Sequence, residues 1–332
     1  MTNREQFLLD RKNSIGGSDS AAVFGMSPYN TPLSLYMDKI GLYAENITPK
    51  KEAVFGRGHV LEKLLRALFE RNYGLKIDEA LQAEHREYSF IRGHVDGIVK
   101  SDNAIVEFKT SALNSKDEWG DELTDEIPRH YLLQVHHYLL IHETCEKVYV
   151  PVFRGNNDML QILANLVKKY GVDFNLLDDV DINFKLYVVQ KGELHAKLSQ
   201  RMIEEYKKFW NEHVIPRIPP KWTCVDDIKL LFPISKKEEV LADEEAVKAI
   251  ENIKQKKEAI EALEVEIEKD KANVCDKLRE ASKLVDANGK TLVNWYTMKR
   301  KIFDIEAFKV SFGEVNIEPF FKETTSRAFK VY

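Results

Sequence analysis

The pattern of apolar and polar positions divides the chain into sections with different periodicity. From Ser18 to about Tyr73 the apolar residues recur at helical spacing, most clearly in GHVLEKLLRALFERNYG, which ends at Gly74. Strand-like segments follow in EYSFIRGHVDGIV, AIVEFKTS, KVYVPVFRG and FKLYVVQK. Between them, RHYLLQVHHYLLIH has the apolar positions of a buried helix. Strand pairs followed by a helix and a further strand predict an α/β core.

The later part of the chain contains a candidate domain boundary. The prolines of IPRIPPKW end regular structure after the predicted closing helix ELHAKLSQRMIEEYKKFWNEHV. We therefore expect one domain over residues 1–218 and a C-terminal extension over residues 219–332. In the extension, an interrupted heptad-like pattern at about 240–286 predicts a long helix or a helical hairpin that packs on a partner surface, followed by a short strand-containing tail. A small extra helix is expected within residues 156–181.

Composition and charge exclude several classes of protein. No run of eighteen apolar residues exists, and MTNREQFLLDRKNS lacks the apolar stretch of a signal peptide, so we expect a cytoplasmic protein. Cys145, Cys224 and Cys275 are scattered without a CxxC pair, which favours reduced thiols over a zinc or iron-sulfur site. The net charge of −5 argues against binding nucleic acid by charge alone, but it leaves room for a local basic groove.

Candidate chemistry lies in HVDGIVKSDNAIVEFKTSA. Side chains alternate along a strand, so Glu107 and Lys109 share one face and Val106 and Phe108 the other. Asp96 and Glu107 are suited to bind one or two Mg²⁺ ions, which would activate a water against a phosphodiester, with Lys109 beside them. A surface hairpin with an exposed salt bridge is the alternative. The alternating apolar residues of IVEFK favour a strand that is packed from behind.

The motifs IGGSDSAAVFGMSPY, GRGHVLEKLL, GHVDGIV, VEFKTS and YLLQVHHYLL occur in that order over about residues 8–215. Together they resemble the YqaJ family of viral recombinases, to which lambda exonuclease belongs, within the PD-(D/E)xK nuclease superfamily. The terminal TTSRAFKVY also resembles the tail of longer members. The resemblance implies an α+β, restriction-endonuclease-like core with a mixed central sheet flanked by helices. It also implies Mg²⁺-dependent digestion of double-stranded DNA from its 5′ ends, with Mn²⁺ able to replace Mg²⁺.

The resemblance assigns roles to particular residues. Glu62, Asp96 and Glu107 match the metal-binding carboxylates, and Lys109 matches the catalytic lysine. Arg11, Ser18 and Gln134 match positions that hold the terminal 5′ phosphate, and a guanidinium and a hydroxyl are suitable donors to an anion. His94 stands where the family often has a serine, which leaves the demand for a 5′ phosphate open.

Other residues allow more than one interpretation. Arg57 is as suited to contact the DNA backbone as to lie free, and Tyr131 either lines the site or packs in the core. His130, His136, His137 and His142 crowd one predicted helix, where buried histidines with satisfied hydrogen bonds are more common than a metal site.

The leading functional hypothesis is a 5′-to-3′ exonuclease that resects double-stranded DNA ends in a phage or prophage recombination system. The resemblance implies a single-strand annealing protein as partner and a homo-oligomer, a trimer by analogy with lambda exonuclease. A related endonuclease, and a catalytically weak or silent DNA-end-binding or assembly protein, remain alternatives. A nuclease with an iron-sulfur cluster is disfavoured, because it needs four suitably placed cysteines.

Overall fold

A computed structural model of the chain describes residues 10–42, 49–79, 82–112, 119–174, 183–236 and 238–297. The terminal TTSRAFKVY lies outside these residues, as does the end of the 156–181 insertion. The chain divides into two compact units, Met1–Leu231 and Phe232–Tyr332. The division falls after a helix, Val225–Leu231, that follows the prolines of the expected boundary. The buried Asp227 of this helix accepts hydrogen bonds from Thr31 and Thr223, which joins the helix to the first unit.

The first unit has seven described α-helices and seven described strands. The helices are α1 (Ser20–Val23), α2 (Pro32–Lys39), α3 (Pro49–Tyr73), α4 (Arg129–Ile141), α5 (Asn157–Tyr170), α6 (Glu193–Phe209) and α7 (Val225–Leu231). The strands are β1 (Ala83–Glu84), β2 (Arg92–Gly93), β3 (Gly97–Val99), β4 (Ala104–Val106), β5 (Lys109–Ala112), β6 (Lys147–Gly155) and β7 (Phe184–Gln190). A short 3₁₀ turn, Gly17–Asp19, precedes α1, and a π-helical turn, Trp210–Val214, extends α6.

The central sheet is mixed and five-stranded, with the long strand β6 at its centre. β7 pairs antiparallel with one side of β6, while β4 and β5 pair in parallel with consecutive stretches of its other side. β3 pairs antiparallel with β4. The mixed sheet with flanking helices confirms the expected fold class.

Two apolar clusters cover the opposite faces of the sheet. On one face, Ile105, Val148 and Tyr187 pack with residues of α4 and α6 such as Val135 and Met202. On the other face, Val106, Phe108 and Tyr149 pack with residues of α3 and α5, including Leu64 and Leu163. The alternation that the sequence predicted along IVEFK therefore holds. Val106 and Phe108 face α3. The alternate positions Ile105, Glu107 and Lys109 face α4.

The strand predicted over AIVEFKTS is interrupted at its most polar point. β4 ends at Val106 and β5 begins at Lys109. The backbone N–H of Glu107 still donates to the Tyr149 carbonyl of β6, at 3.0 Å. The N–H of Phe108 turns away and donates to the Asp96 carboxylate, at 2.7 Å. A side chain thus replaces one ladder partner, and Asp96 is held at the break.

The second unit contains one long helix, α8 (Glu244–Leu278), and a hairpin of β8 (Lys283–Val285) and β9 (Thr291–Asn294). The Asp243 side chain caps α8 by accepting from the Ala246 N–H at 2.7 Å. Of the two predicted alternatives for this region, a long helix or a helical hairpin, the structure has the single helix. None of the described helices is both long enough and apolar enough to cross a membrane.

Candidate active site

Glu107, Lys109 and Gln134 form one hydrogen-bonded group between the sheet and α4. Lys109 Nζ lies 2.7 Å from Glu107 Oε1 and donates to Gln134 Oε1 at 3.0 Å. Gln134 Nε2 donates to the same Glu107 oxygen at 2.8 Å and to the Tyr138 hydroxyl at 2.9 Å. The amide therefore fixes both the carboxylate and the ammonium, so the pair is positioned before any ligand arrives.

The Glu107 carboxyl is buried in a way that penalises its charge. Only 5% of the residue is exposed, and burial raises its pKa to about 8, against the opposing charge of Lys109. The negative charges of Asp96 and Glu62 raise this pKa further. Oε2 of Glu107 is buried and has no hydrogen-bond partner among the described residues. A buried carboxylate oxygen without a partner is costly unless something else occupies its lone pairs.

Asp96 stands opposite Glu107 at the break in the strand. Burial raises its pKa, although the Phe108 N–H and the Lys109 charge favour the ionised form. Arg66 of α3 donates to the Asp96 carbonyl at 2.9 Å and to the Ile77 carbonyl at 3.0 Å, which fixes the backbone here. Gly97 is required by close approach, because a Cβ there would lie 2.2 Å from Cγ2 of Ile77.

Glu62 lies at the edge of this group. Its side chain on α3 is 41% exposed and its Oε1 lies 3.3 Å from His59 Nδ1. Its charge nevertheless raises the pKa of both Asp96 and Glu107, so the three carboxylates share one electrostatic environment. Over the described part of the chain, no three His, Cys, Asp or Glu side chains are arranged as a ready metal cluster. The structure thus brings Asp96, Glu107 and Lys109 together and leaves Glu62 at their margin.

The carboxylates of this group suit a divalent cation. Oε2 of Glu107 has no hydrogen-bond partner among the described residues, and the pKa values of Asp96 and Glu107 are both raised. When ionised, these carboxylates therefore carry negative charge that nearby cationic groups do not fully compensate. A hard cation with oxygen ligands would supply that compensation. Asp96 and Glu107 therefore fit an ion such as Mg²⁺.

A cavity of about 170 Å³ adjoins this group. Three residues that the sequence singled out, Arg11, Ser18 and His94, line it together. Arg92 and Tyr138 also line it. Gln134 is placed differently from the other phosphate candidates, because it contacts Glu107 and Lys109 directly. Tyr138 connects the two sites: its ring lines the cavity and its hydroxyl accepts from Gln134.

A buried ion pair supports the cavity wall. Lys39 Nζ lies 2.6 Å from Asp19 Oδ2 and donates to the Arg11 carbonyl at 2.8 Å. The same Asp19 oxygen accepts from the Gly16 N–H at 3.0 Å. The positive charges of Lys39 and Arg11 lower the pKa of Asp19 in spite of its burial. Gly17 is also required, because a Cβ there would lie 2.5 Å from the Tyr138 ring.

The remaining candidates have identifiable contacts. Arg57 donates to the Asn157 carbonyl at 3.3 Å and to its side chain at 3.2 Å, at the start of α5. Tyr131 lies in the site, with Lys109 Nζ 4.7 Å from its ring centre. His136 contacts His195, at 3.2 Å between their Nδ1 atoms. His137 donates from Nε2 to the Arg92 carbonyl at 3.1 Å, and its Nδ1 lies 3.1 Å from the Tyr206 hydroxyl.

Sequence reasoning missed several residues that shape the site. Arg92 precedes the GHVDG motif directly, and Tyr138 follows Gln134 by one helical turn, so both were within reach of spacing arguments. Asp19 directly follows Ser18 in the IGGSD motif. Lys39 and Arg66 carried no local signal, because their partners lie far away in the sequence.

The region that contains these motifs is similar to known proteins. Residues 6–144 match the family model described as the YqaJ-like viral recombinase domain. The chain is 32% identical over 211 residues to "Uncharacterized protein YqaJ" of Bacillus subtilis (strain 168), a match that covers 62% of this chain and 63% of that relative. Residues 6–144 are thus similar to the YqaJ-like viral recombinase domain, which confirms the resemblance seen in the motifs.

Two solved structures are similar over a comparable part of the chain. An alkaline exonuclease from Laribacter hongkongensis has 14% identity and a TM-score of 0.41, over 63% of this chain and 91% of that one. A phage-related exonuclease from Haemophilus somnus 129PT has 16% identity and a TM-score of 0.41, over 60% of this chain and 94% of that one.

Proposed function

We propose that the protein is a Mg²⁺-dependent exonuclease that digests double-stranded DNA from 5′ to 3′ and thereby resects ends for recombination by strand annealing. The observation that carries the proposal is the Glu107–Lys109 pair, held by Gln134 beside Asp96, with one buried carboxylate oxygen left without a partner. The YqaJ-like domain and the exonuclease names of the structural neighbours are in keeping with it.

Asp96 and Glu107 are the residues that would hold the metal, with Glu62 completing the negative charge around it. Bound there, Mg²⁺ or Mn²⁺ would polarise the scissile phosphate and lower the pKa of a coordinated water. Ionised Glu107 would then be compensated both by the metal and by the Lys109 ammonium, which lies 2.7 Å from Oε1. A bound cation would therefore lower the energetic cost of burying the Asp96 and Glu107 carboxylates, a cost that is uncompensated in the metal-free protein.

Lys109 contributes a fixed positive charge at the reacting phosphate. Its ammonium is held by Glu107, Gln134 and the face of Tyr131, so it need not reorganise when negative charge builds on the phosphate oxygens. The Gln134 amide keeps the ammonium and the carboxylate in register. Loss of the Lys109 charge should therefore lower the rate of hydrolysis more than the affinity for DNA.

The adjoining cavity is suited to the terminal 5′ phosphate. Arg11 and Arg92 supply guanidinium groups and Ser18 a hydroxyl, all of which donate to phosphate oxygens. His94 stands at the same wall and would bind more strongly when protonated. A phosphate held here would place the first phosphodiester of that strand towards Glu107 and Lys109, because Tyr138 lines the cavity and contacts Gln134. This arrangement would give the 5′-to-3′ polarity.

The proposal extends to partners and setting. The substrate would be a double-stranded DNA end, and the single strand that digestion leaves would pass to an annealing protein. We also propose a homo-oligomer, a trimer by analogy with the family, in the cytoplasm of a bacterial host.

The test compares linear and covalently closed duplex DNA, with a label at each end and with Mg²⁺ or EDTA. The expected result is stepwise loss of the 5′ label from linear DNA with Mg²⁺ alone. Glu107→Gln and Lys109→Met should each lower the rate at least about a hundredfold. Glu193→Gln and Lys197→Met, exposed on α6, are the matched controls. Cleavage of closed circles would indicate an endonuclease, and DNA binding without any Mg²⁺-dependent cleavage would indicate an end-binding protein.

A further inference from the structure

The helix α8 of the second unit carries a regular row of apolar residues that solvent reaches. One residue in every seven along one face is apolar, and this row, the α8 stripe, consists of Ala246, Ile253, Ile260, Ile267 and Val274. Ile260 is 53% exposed and Ile267 is 51% exposed. In proteins most of the stability of a helix comes from packing of its apolar face and not from helix propensity, so this row calls for a surface that covers it. A strict seven-residue repeat fits a second helix that winds around the first.

A neighbouring row on the same face identifies the orientation of that second helix. Leu263 lies three residues after Ile260, as position d follows position a in a heptad. One heptad to either side of Leu263, the equivalent positions hold Lys256 and Asp270. Two copies in parallel would place lysine opposite lysine and aspartate opposite aspartate. Two copies in antiparallel orientation, centred near Leu263, would place Lys256 of each copy near Asp270 of the other.

Lys256 and Asp270 lie seven residues before and seven residues after Leu263. An antiparallel partner of the same sequence would therefore form the Lys256–Asp270 pair twice, once on each side of the centre. Such self-complementarity is what a two-fold interface between identical copies requires.

We propose that α8 is a homotypic interface, in which the α8 stripe packs against α8 of a second copy as an antiparallel coiled coil. The interface belongs to the second unit and does not depend on nuclease activity. It would join copies in pairs, whatever contacts the first unit makes with its own copies.

The first experiment measures the mass of the full-length protein in solution by analytical ultracentrifugation over a range of concentrations. Ile260→Glu with Ile267→Glu buries charge in the interface and should halve the wild-type mass. Val265→Glu is the matched control, because Val265 is 71% exposed on the opposite face of the helix, and it should keep the wild-type mass. The proposal is overturned if the wild type is a monomer or if the double variant keeps the wild-type mass. If its mass is unchanged while residues 298–332 lose protection from hydrogen exchange, the stripe is covered by that segment instead.

A second experiment tests the orientation by charge reversal. Lys256→Glu should weaken the association about tenfold, because it places two acidic groups together across an antiparallel interface. Adding Asp270→Lys to the same chain should restore it, because opposite charges then meet again. In a parallel pair, Lys256→Glu would only replace a lysine–lysine contact by a glutamate–glutamate contact. The antiparallel arrangement is refuted if Lys256→Glu weakens the association and the double variant does not restore it.

Discussion

Lys39 and Asp19 form an ion pair beneath the cavity, with 2.6 Å between Nζ and Oδ2 and side chains that are 0% and 5% exposed. Through this pair two separate segments of the cavity wall are joined, because Lys39 also binds the Arg11 carbonyl and Asp19 also binds the Gly16 N–H. Neither residue reaches the Glu107 group. Their contribution is to hold the wall that carries Arg11 and Ser18.

Replacement of Lys39 by methionine should therefore be costly. It leaves a buried carboxylate without its cation, and breaking a buried pair from one side costs about 3 to 5 kcal/mol. The free energy of unfolding, measured in urea, should fall by about that amount. Adding Asp19→Asn should recover part of it, whereas the exposed control Lys197→Met should change it by less than about 0.5 kcal/mol. Equal stabilities for Lys39→Met and wild type would contradict the structural role.

His137 should make the protein sensitive to mild acid. Burial lowers its pKa from 6.5 to about 4, although the Arg92 carbonyl and the Asp19 charge oppose the change. Because the unfolded chain then binds the proton more readily, the stability present above pH 6.5 is lost as the pH falls towards 4. The loss amounts to about 3 kcal/mol.

The measurement compares unfolding free energies of wild type and His137→Gln between pH 4 and 7, so that other titrating groups cancel. The variant should show a flatter profile. His59→Gln, at an exposed site, should keep the wild-type profile. Parallel profiles for wild type and His137→Gln would show that this histidine does not titrate in the expected range.

Glu107→Gln should separate stability from activity. The pKa of Glu107 is raised to about 8, so the folded protein holds a proton that the unfolded chain releases from pH 4.5 upward. Stability of the metal-free protein therefore falls as the pH rises from 4.5 through 8. Glutamine removes this penalty while keeping an acceptor for Lys109.

At pH 9 in EDTA, Glu107→Gln should be more stable than wild type by at least about 1 kcal/mol, and nuclease activity with Mg²⁺ should be lost. Thermal unfolding of both proteins with and without Mg²⁺ checks this prediction. Mg²⁺ should raise the unfolding temperature of wild type and leave the variant unchanged. A variant that is less stable than wild type in EDTA would contradict the inferred charge penalty.

Arg92 should help to distinguish 5′-phosphorylated ends from 5′-hydroxyl ends. A guanidinium that binds phosphate contributes about 1.5 to 3 kcal/mol, so Arg92→Gln should slow digestion of phosphorylated ends about tenfold or more. Digestion of 5′-hydroxyl ends should change little. The control is Arg86→Gln, whose side chain is 81% exposed. Equal slowing on both ends would show that Arg92 acts on the fold and not on the phosphate.

The parts of the fold that could be predicted are those determined by local periodicity. Alternation along IVEFK placed Glu107 and Lys109 on one face, and helical spacing identified α4 and the long α8. Gly74 ends α3 with a φ of +67°, as expected of a helix stop. The mixed central sheet flanked by helices, in contrast, was implied by the family resemblance.

The parts that could not be predicted depend on contacts between distant segments. No local pattern marks Lys39 as buried, and only the fold brings Asp19 to it. EYSFIRGHVDGIV was expected to be strand-like, yet only Arg92–Gly93 and Gly97–Val99 are strands. His94 and Asp96 lie between them, where the chain passes from the two-stranded sheet of β1 and β2 to the central sheet.

The break between β4 and β5 has a consequence for mutagenesis. Asp96 supplies the acceptor for the Phe108 amide, so its removal both takes away a ligand and leaves a main-chain donor stranded in the protein interior. An inactive alanine variant at this position would confound loss of chemistry with local unravelling of the sheet edge. Asparagine, which keeps an oxygen for that amide, is the substitution that can tell the two apart.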